Sequence, residues 1–312
     1  MIKSHVDGAA WLITQPDHAR VSAYLAAHWG GANEFLRAGA MGDGGRGGAD
    51  VDDRVREAVL LAIAEHDNGW PEWEAKPLID EQDGLPVSFL GLSVESPREG
   101  LERWRRGVER FARVEPYAAL LISLHMHWLY AWDIDDPPGG RDERFRYPLF
   151  SSANEPRTND DEALPGSDEA AESAQEETEA EHHAAVRRLL EDQIDQRAGI
   201  VGRLRGMGPP WPRALEDDVL GPHVRLLQAT DAMSLLLCFG APKAMTLPAM
   251  PRAGMDDPVE LAWRPAGQSR RVILEPYPFD ADPLPVELCA RIVEDGDGRK
   301  MASPIDEAAA RA

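Results

Sequence analysis

Cysteine is scarce in this chain: Cys238 and Cys289 are the only two in 312 residues. They lie far apart and form no CxxC pair, which excludes a disulfide framework and a cysteine-built zinc site. Cys238 sits in the apolar run Leu235–Phe239, where a free thiol behaves as a small buried hydrophobe. Long apolar runs are missing too. No stretch approaches the ~20 residues that a membrane helix needs. The opening Met1-Ile2-Lys3-Ser4-His5 lacks the apolar h-region of a signal peptide. A soluble, cytoplasmic protein with no membrane partner is expected. Positive charge is in short supply, with 33 Lys plus Arg against 55 Asp plus Glu and a formal net charge of −22. Without a basic block there is no electrostatic footprint for nucleic-acid phosphates. No GK[ST] occurs, so a P-loop is excluded. Gly42-x-Gly44-x-x-Gly47 matches a dinucleotide fingerprint in form only, because no apolar strand precedes it and no helix-packing run follows.

What is present is an ordinary globular composition, 43% apolar and 28% charged, with nine Trp. That suffices to bury a core and argues for one domain over residues 1–312. The charge is uneven. Residues 153–181 hold eleven acids and a single arginine, nearly half of the net −22, with no aromatic residue and one leucine. Such a segment cannot bury enough apolar surface to offset its ordering entropy, and a disordered acidic insertion is expected there. Residues 39–50 read as a glycine-rich loop.

Elsewhere the pattern is helical. Helices are expected from Pro16 to Trp29 (capped by Asp17), Asp52 to His66, Pro97 to about Arg113, Pro116 to near Trp132, 180–205, and Pro222 to Phe239. A hairpin around Asp7-Gly8 spans residues 2–14, and strands are expected at Val259–Trp263, Arg271–Leu274 and Val286–Val293. The expected fold is mainly α, even all-α in its core. Residues 15–150 and 182–247 would form that core, with a small hairpin at the N-terminus and a short β region at 258–295.

The informative residues are polar ones on apolar helix faces. Val55, Val59, Ala62 and Ile63 share a face that His66 continues, with Asp67 beside it. An adjacent imidazole and carboxylate offer two ligands suited to a divalent ion. His18 lies on a stripe with Val21, Leu25 and His28, and His125 on one with Ala118, Leu121 and Trp128. Val224, Leu227, Gln228, Asp231, Leu235 and Cys238 form another stripe, which places the Asp231 carboxylate in the middle of an apolar face. A buried carboxylate needs a cation, a hydrogen-bond network or a proton.

In chain order these residues read His18, His66-Asp67, His125, Asp231. The order resembles the HD-domain superfamily of metal-dependent phosphohydrolases, carried by Asp17-His18-Ala-Arg-Val21, Ala64-Glu65-His66-Asp67-Asn68-Gly69 and Ala229-Thr230-Asp231-Ala232-Met233-Ser234. That resemblance implies an HD-like helical core and one divalent ion (Mn, Fe, Zn, Co or Mg) on His18, His66, Asp67 and Asp231. His125 would be the further ligand of a two-metal member, ahead of His127 or His183. Along more of its length the chain is similar to a bacterial family described as a domain of unknown function, number 3891. The segments that carry this are Trp11–His18, Glu65–Trp70, Pro116–His125, Leu226–Asp231 and Pro276–Phe279.

The expected function is hydrolysis of a small molecule, a phosphate ester or nucleotide. The ion would acidify water and polarise a phosphoryl oxygen, with Glu65 or Asp67 as general base. Gln15, Asn68 and Gln228 would orient ligands or substrate, and Trp70, Trp73 and Trp128 would wall the pocket. Arg20, Arg103, Arg105 and Arg106 are candidate phosphate contacts. Two alternatives stand beside this: an HD-type di-iron oxygenase using His125, and a non-enzymatic protein whose polar cluster is a buried hydrogen-bond network. The oligomeric state has no signature in the sequence.

Overall fold

A computed structural model describes residues 1–6, 8–31, 35–42, 51–89, 97–150, 169–241, 243–252, 258–267 and 270–294. The Gly44–Gly47 part of the glycine loop and residues 153–168 of the acidic insertion lie outside the described residues. Eight helices are described: α1 (Gln15–His28), α2 (Asp53–Ala64), α3 (Pro71–Glu74), α4 (Pro97–Ala112), α5 (Pro116–Tyr130), α6 (Glu169–Gly206), α7 (Trp211–Ala214) and α8 (Asp217–Cys238). Six strands accompany them: β1 (Ile2–Val6), β2 (Ala9–Ile13), β3 (Met245–Met250), β4 (Val259–Pro265), β5 (Val272–Glu275) and β6 (Arg291–Glu294).

Local chemistry accounts for most helix starts. The Thr14 side chain caps α1 by accepting from the Asp17 amide, and Pro16 occupies the first turn. Asp17 is therefore a first-turn acid and not the cap. Asp52 caps α2 by accepting from the amides of Arg54 and Val55. α5 and α8 are buried around almost their whole circumference, as helices without a polar face must be. α1 packs on α2 and α8, and α5 packs on α2, α4, α6 and α8. One cluster of buried side chains, including Leu25, Val59, Ile63, Leu121 and Leu227, runs between these helices.

The all-α expectation is corrected: the fold is α+β, with two three-stranded antiparallel sheets ordered β1-β2-β6 and β3-β4-β5. The expected N-terminal hairpin is present, with Ile2 opposite Ile13 and Val6 opposite Ala9. β6 pairs with β2 across the chain, Leu12 opposite Arg291. β3 was not expected, because Pro248 interrupts its pattern; a register shift between Leu247 and Met250 accommodates it. The expected strand 286–293 is replaced by the shorter strand Arg291–Glu294. α6 begins at Glu169 rather than 180, so the C-terminal part of the acidic segment is helical. Its alternation of Ala with Glu and Gln favours helix in spite of the charge. α8 begins at Asp217, ahead of Pro222, which lies inside the helix.

The Pro276–Phe279 motif has a structural task. The Pro278 carbonyl accepts from the amides of Gly30 and Gly31, and Phe279 meets Trp29 edge to face at 5.6 Å. The chain is thereby tied to the end of α1. Among the described residues no helix is long and apolar enough to cross a membrane.

Candidate metal centre

Two neighbouring residues on a helix point about 100° apart, so an intact helix could not aim both His66 and Asp67 at one point. α2 in fact ends at Ala64, two residues short of the expected His66, and residues 65–69 form a turn. The Asn68 side-chain amide donates to the carbonyls of Glu65 (2.7 Å) and Gly107 (3.2 Å), pinning the turn onto α4. Gly69 is required for this approach, since a β-carbon there would stand 2.0 Å from the Arg103 carbonyl oxygen. α1 supplies His18 one turn from its start, α5 supplies His125, and α8 supplies Asp231 from its middle.

All five side chains are buried, His125 completely and Asp231 to 4% exposure. His18 Nε2 lies 2.7 Å from Asp67 Oδ2, and His66 Nε2 lies 3.6 Å from the same oxygen. His66 Nε2 is 3.3 Å from Asp231 Oδ1, and His18 Nδ1 is 3.8 Å from it. His125 Nε2 stands 3.3 Å from the other oxygen, Asp231 Oδ2. His18, His66 and Asp231 each present a ligand atom within 4.8 Å of the others. Donors about 2.1 Å from one ion stand about 3.0 Å apart at a right angle and about 3.4 Å apart at a tetrahedral angle. The spacings here bracket those values.

Hydrogen bonds behind the cluster select the nitrogens that face it. His66 Nδ1 donates to the Ile63 carbonyl at 2.8 Å. A neutral His66 therefore carries its lone pair on Nε2, toward Asp67 and Asp231. The Ser234 hydroxyl donates to the Asp231 carbonyl, so it accepts from both Ser22 Oγ and His18 Nδ1, each at 2.8 Å. His18 Nε2 is thereby the inward-facing nitrogen. His66 Nε2, Asp231 Oδ1 and both nitrogens of His125 are buried and make no well-formed hydrogen bond; the polar approaches of His66 and His125 to Asp231 are Nε2–oxygen contacts of 3.3 Å. Buried polar atoms rarely go unpaired, and a cation at this point could satisfy the nitrogen of His66 and the oxygen of Asp231. The donor set fits a divalent ion of borderline to hard character.

The electrostatics agree. Burial opposes charge on His66, but the Asp67 and Asp231 carboxylates override it and raise its pKa to about 9. Burial likewise opposes ionisation of the carboxylates, yet His66 and His18 hold Asp67 low, and His66 and His125 hold Asp231 well below the usual range. His125, further from that balance, is pushed down by burial and stays neutral. Two carboxylates thus remain ionised in the interior and demand positive charge. A proton on His66 supplies some of it, and a metal ion would supply more.

The other expected residues divide. Gln15 is buried at the start of α1, and its Oε1 has no hydrogen-bond partner. Gln228 donates to the Phe145 carbonyl (2.8 Å) and accepts from Arg225 (3.0 Å). Trp70 and Trp73 stack around the buried Arg103, whose guanidinium carbon lies 4.2 Å from the Trp70 ring centre. Trp128 stacks on Phe145. Arg20, Arg105 and Arg106 are exposed and form surface ion pairs with Asp17, Glu102 and Glu72. Glu65 is half-buried and lines a cavity of about 270 Å³ with Arg20, Asn68 and Arg110. His127 faces α6, where Arg197 donates to its Nδ1 at 3.3 Å. His183 is half-buried on α6.

Two participants were missed. Tyr147 is buried, and its hydroxyl donates to Asp231 Oδ2 at 2.8 Å. It comes from the connection between two short 3-10 helices, Glu143–Phe145 and Pro148–Phe150, 84 residues away, and no local pattern marks it. Ser234 stood within the Asp231 motif at i+3, a spacing that places it on the same helix face, and that spacing was the signal available.

No curated protein and no solved structure matches the chain. The model of one family, described as a protein of unknown function (DUF3891), matches residues 1–295. The chain belongs to that family, and the centre formed by His18, His66, Asp67 and Asp231 lies within the matched region.

Proposed function

We propose that this protein is an HD-like metal-dependent hydrolase acting on a phosphate ester or nucleotide. The observation that carries the proposal is the convergence of unpaired, buried donors, His66 Nε2 and Asp231 Oδ1, with His18 and Asp67 at ligand spacings. His18, His66, Asp67 and Asp231 would hold the ion. When bound, it supplies Lewis acidity toward a phosphoryl oxygen and toward water. The chain's own groups do the rest. Asp67 is held ionised by His66 and His18 and would be a ligand and at most a weak base, since that environment lowers its proton affinity. Glu65 faces the cavity beside the doublet turn and is the second candidate base. Arg103, buried behind that turn, contributes positive charge toward an anionic substrate.

The test is element-resolved metal content of the purified protein, followed by assay of aryl phosphates and nucleotides with and without added divalent ion. Metal-dependent phosphate release is expected. Protein that contains no metal and shows no metal-dependent thermal shift would overturn the reading in favour of a buried structural network. His125, with both nitrogens unpaired beside Asp231 Oδ2, favours one second reading, an oxygenase with two irons. Two irons per chain would decide for it.

A further inference from the structure

The two oxygens of Asp231 face different company. Oδ1 is turned to His66 and His18 and has no hydrogen bond, whereas Oδ2 accepts from the Tyr147 hydroxyl at 2.8 Å. Tyr147 has little freedom to leave. Arg225 Nη1 donates to the Arg146 carbonyl at 2.7 Å and Gln228 Nε2 to the Phe145 carbonyl at 2.8 Å. Arg225, Gln228 and Asp231 succeed one another at i, i+3 and i+6 along α8, so one helix presents both the carboxylate and the clamp that brings the tyrosine to it. Arg225 also donates to the carbonyls of Pro248 and Ala249, fastening the same helix to β3.

We propose that Tyr147 is a positioning residue that makes Asp231 a single-oxygen metal ligand and restricts the centre to one ion. The inference rests on the metal reading above. A carboxylate bridges two ions, or chelates one through both oxygens, only if both are available. The Tyr147 hydroxyl takes one lone pair of Oδ2 on the side of His125, the residue that a second ion would need, and so competes with an ion for that oxygen. This geometry opposes a two-ion centre even though His125 is nearby. It also orients Oδ1, because rotation of the carboxylate would break a buried hydrogen bond.

The experiment is titration of the metal-free full-length protein with Co²⁺, followed by calorimetry and visible absorption, for wild type and Tyr147→Phe. Wild type is expected to bind one Co²⁺ per chain. Tyr147→Phe is expected to bind about 10- to 100-fold more weakly, with weaker visible bands as the freed carboxylate raises the coordination number, or to take up a second equivalent. Unchanged affinity, stoichiometry and spectrum in Tyr147→Phe would overturn the proposal and leave the metal reading intact. Two Co²⁺ bound by wild type would overturn it as well. Absence of any Co²⁺ binding by folded wild type would overturn both together. Should the variant fail to fold, X-ray absorption at the cobalt edge of wild type and Asp67→Asn decides: a short metal–carbon path that persists in Asp67→Asn comes from a chelating Asp231 and would refute the assignment, and its absence there supports it.

Discussion

α5 carries two buried histidines two residues apart, and they live in opposite circumstances. His127 faces α6, where Arg197 donates to Nδ1 at 3.3 Å. His125 faces His66, Trp104 of α4, Tyr147 and Asp231 of α8, and neither of its nitrogens makes a well-formed hydrogen bond. Burial pushes both below the ordinary histidine range, His127 to about 4. The two sides of the helix have similar dryness and similar residue types. They differ in whether the polar atoms are matched. The α5–α6 side is a completed network of Ser123, Gln193, Gln196, Arg197 and His127. The side facing Asp231 leaves four buried atoms of His66, His125 and Asp231 unpaired. The side facing Asp231 carries buried donor atoms that a metal ion could hold.

The comparison breaks most directly at the ligands. His66→Ala or Asp231→Ala is expected to abolish metal content by elemental analysis. Retention of metal in either variant would sink the ligand assignment. Next in size is pH. His66 binds a proton up to about pH 9 in the metal-free protein. A metal ion must displace that proton, and affinity measured by competition should rise about tenfold per pH unit through the neutral range. A pH-independent affinity would show that His66 does not bind as the neutral imidazole.

The same groups set the stability of the metal-free protein. The raised His66 stabilises the fold fully below its unfolded value, about 6.5, and that contribution is lost as pH rises through about 9. The depressed Asp231 and Asp67 contribute above about pH 4 and lose their contribution as pH falls below it. Urea unfolding without metal should therefore show its plateau between about pH 4 and 6.5. Saturation with metal at 100 times Kd should add about 2.7 kcal/mol and extend the plateau toward higher pH. A plateau that stayed put on metal addition would argue for a purely structural cluster.

Ser234→Ala removes the acceptor that sets the His18 tautomer, and about a tenfold loss of metal affinity is expected. The smallest effect on metal belongs to the satisfied side of α5. His127→Ala should leave metal content and affinity unchanged and lower unfolding stability by about 1–3 kcal/mol, because Arg197 loses a buried partner. Metal loss in His127→Ala would erase the contrast between the two sides.

Much of this could be read along the chain. Pro16, Asp52 and Pro116 mark helix starts, although the cap of α1 is Thr14 and not the expected Asp17, and the stripes through His18, His125 and Asp231 place those side chains inward, as found. Hydrophobic periodicity is local, and it survives in the fold because each helix must bury its apolar face. What periodicity misjudged were places where a distant contact overrules it. The expected continuation of α2 to His66 gives way to a turn, because Asn68 and Gly69 find α4. β3 exists despite Pro248 because β4 pairs with it.

The sequence by itself determined which residue types stand on which helix faces, and with them the candidate ligands His18, His66, Asp67, His125 and Asp231. Only the tertiary structure decided which atoms meet. It turned the Nε2 of His66 and of His18 inward through Ile63 and Ser234, assigned one oxygen of Asp231 to the histidines and the other to Tyr147, and sent His127 to a different neighbour from His125. The physical reason is range. Side-chain periodicity is set within a few residues, whereas a hydrogen bond that selects one atom of a ligand comes from whichever distant segment packing brings within about 3 Å.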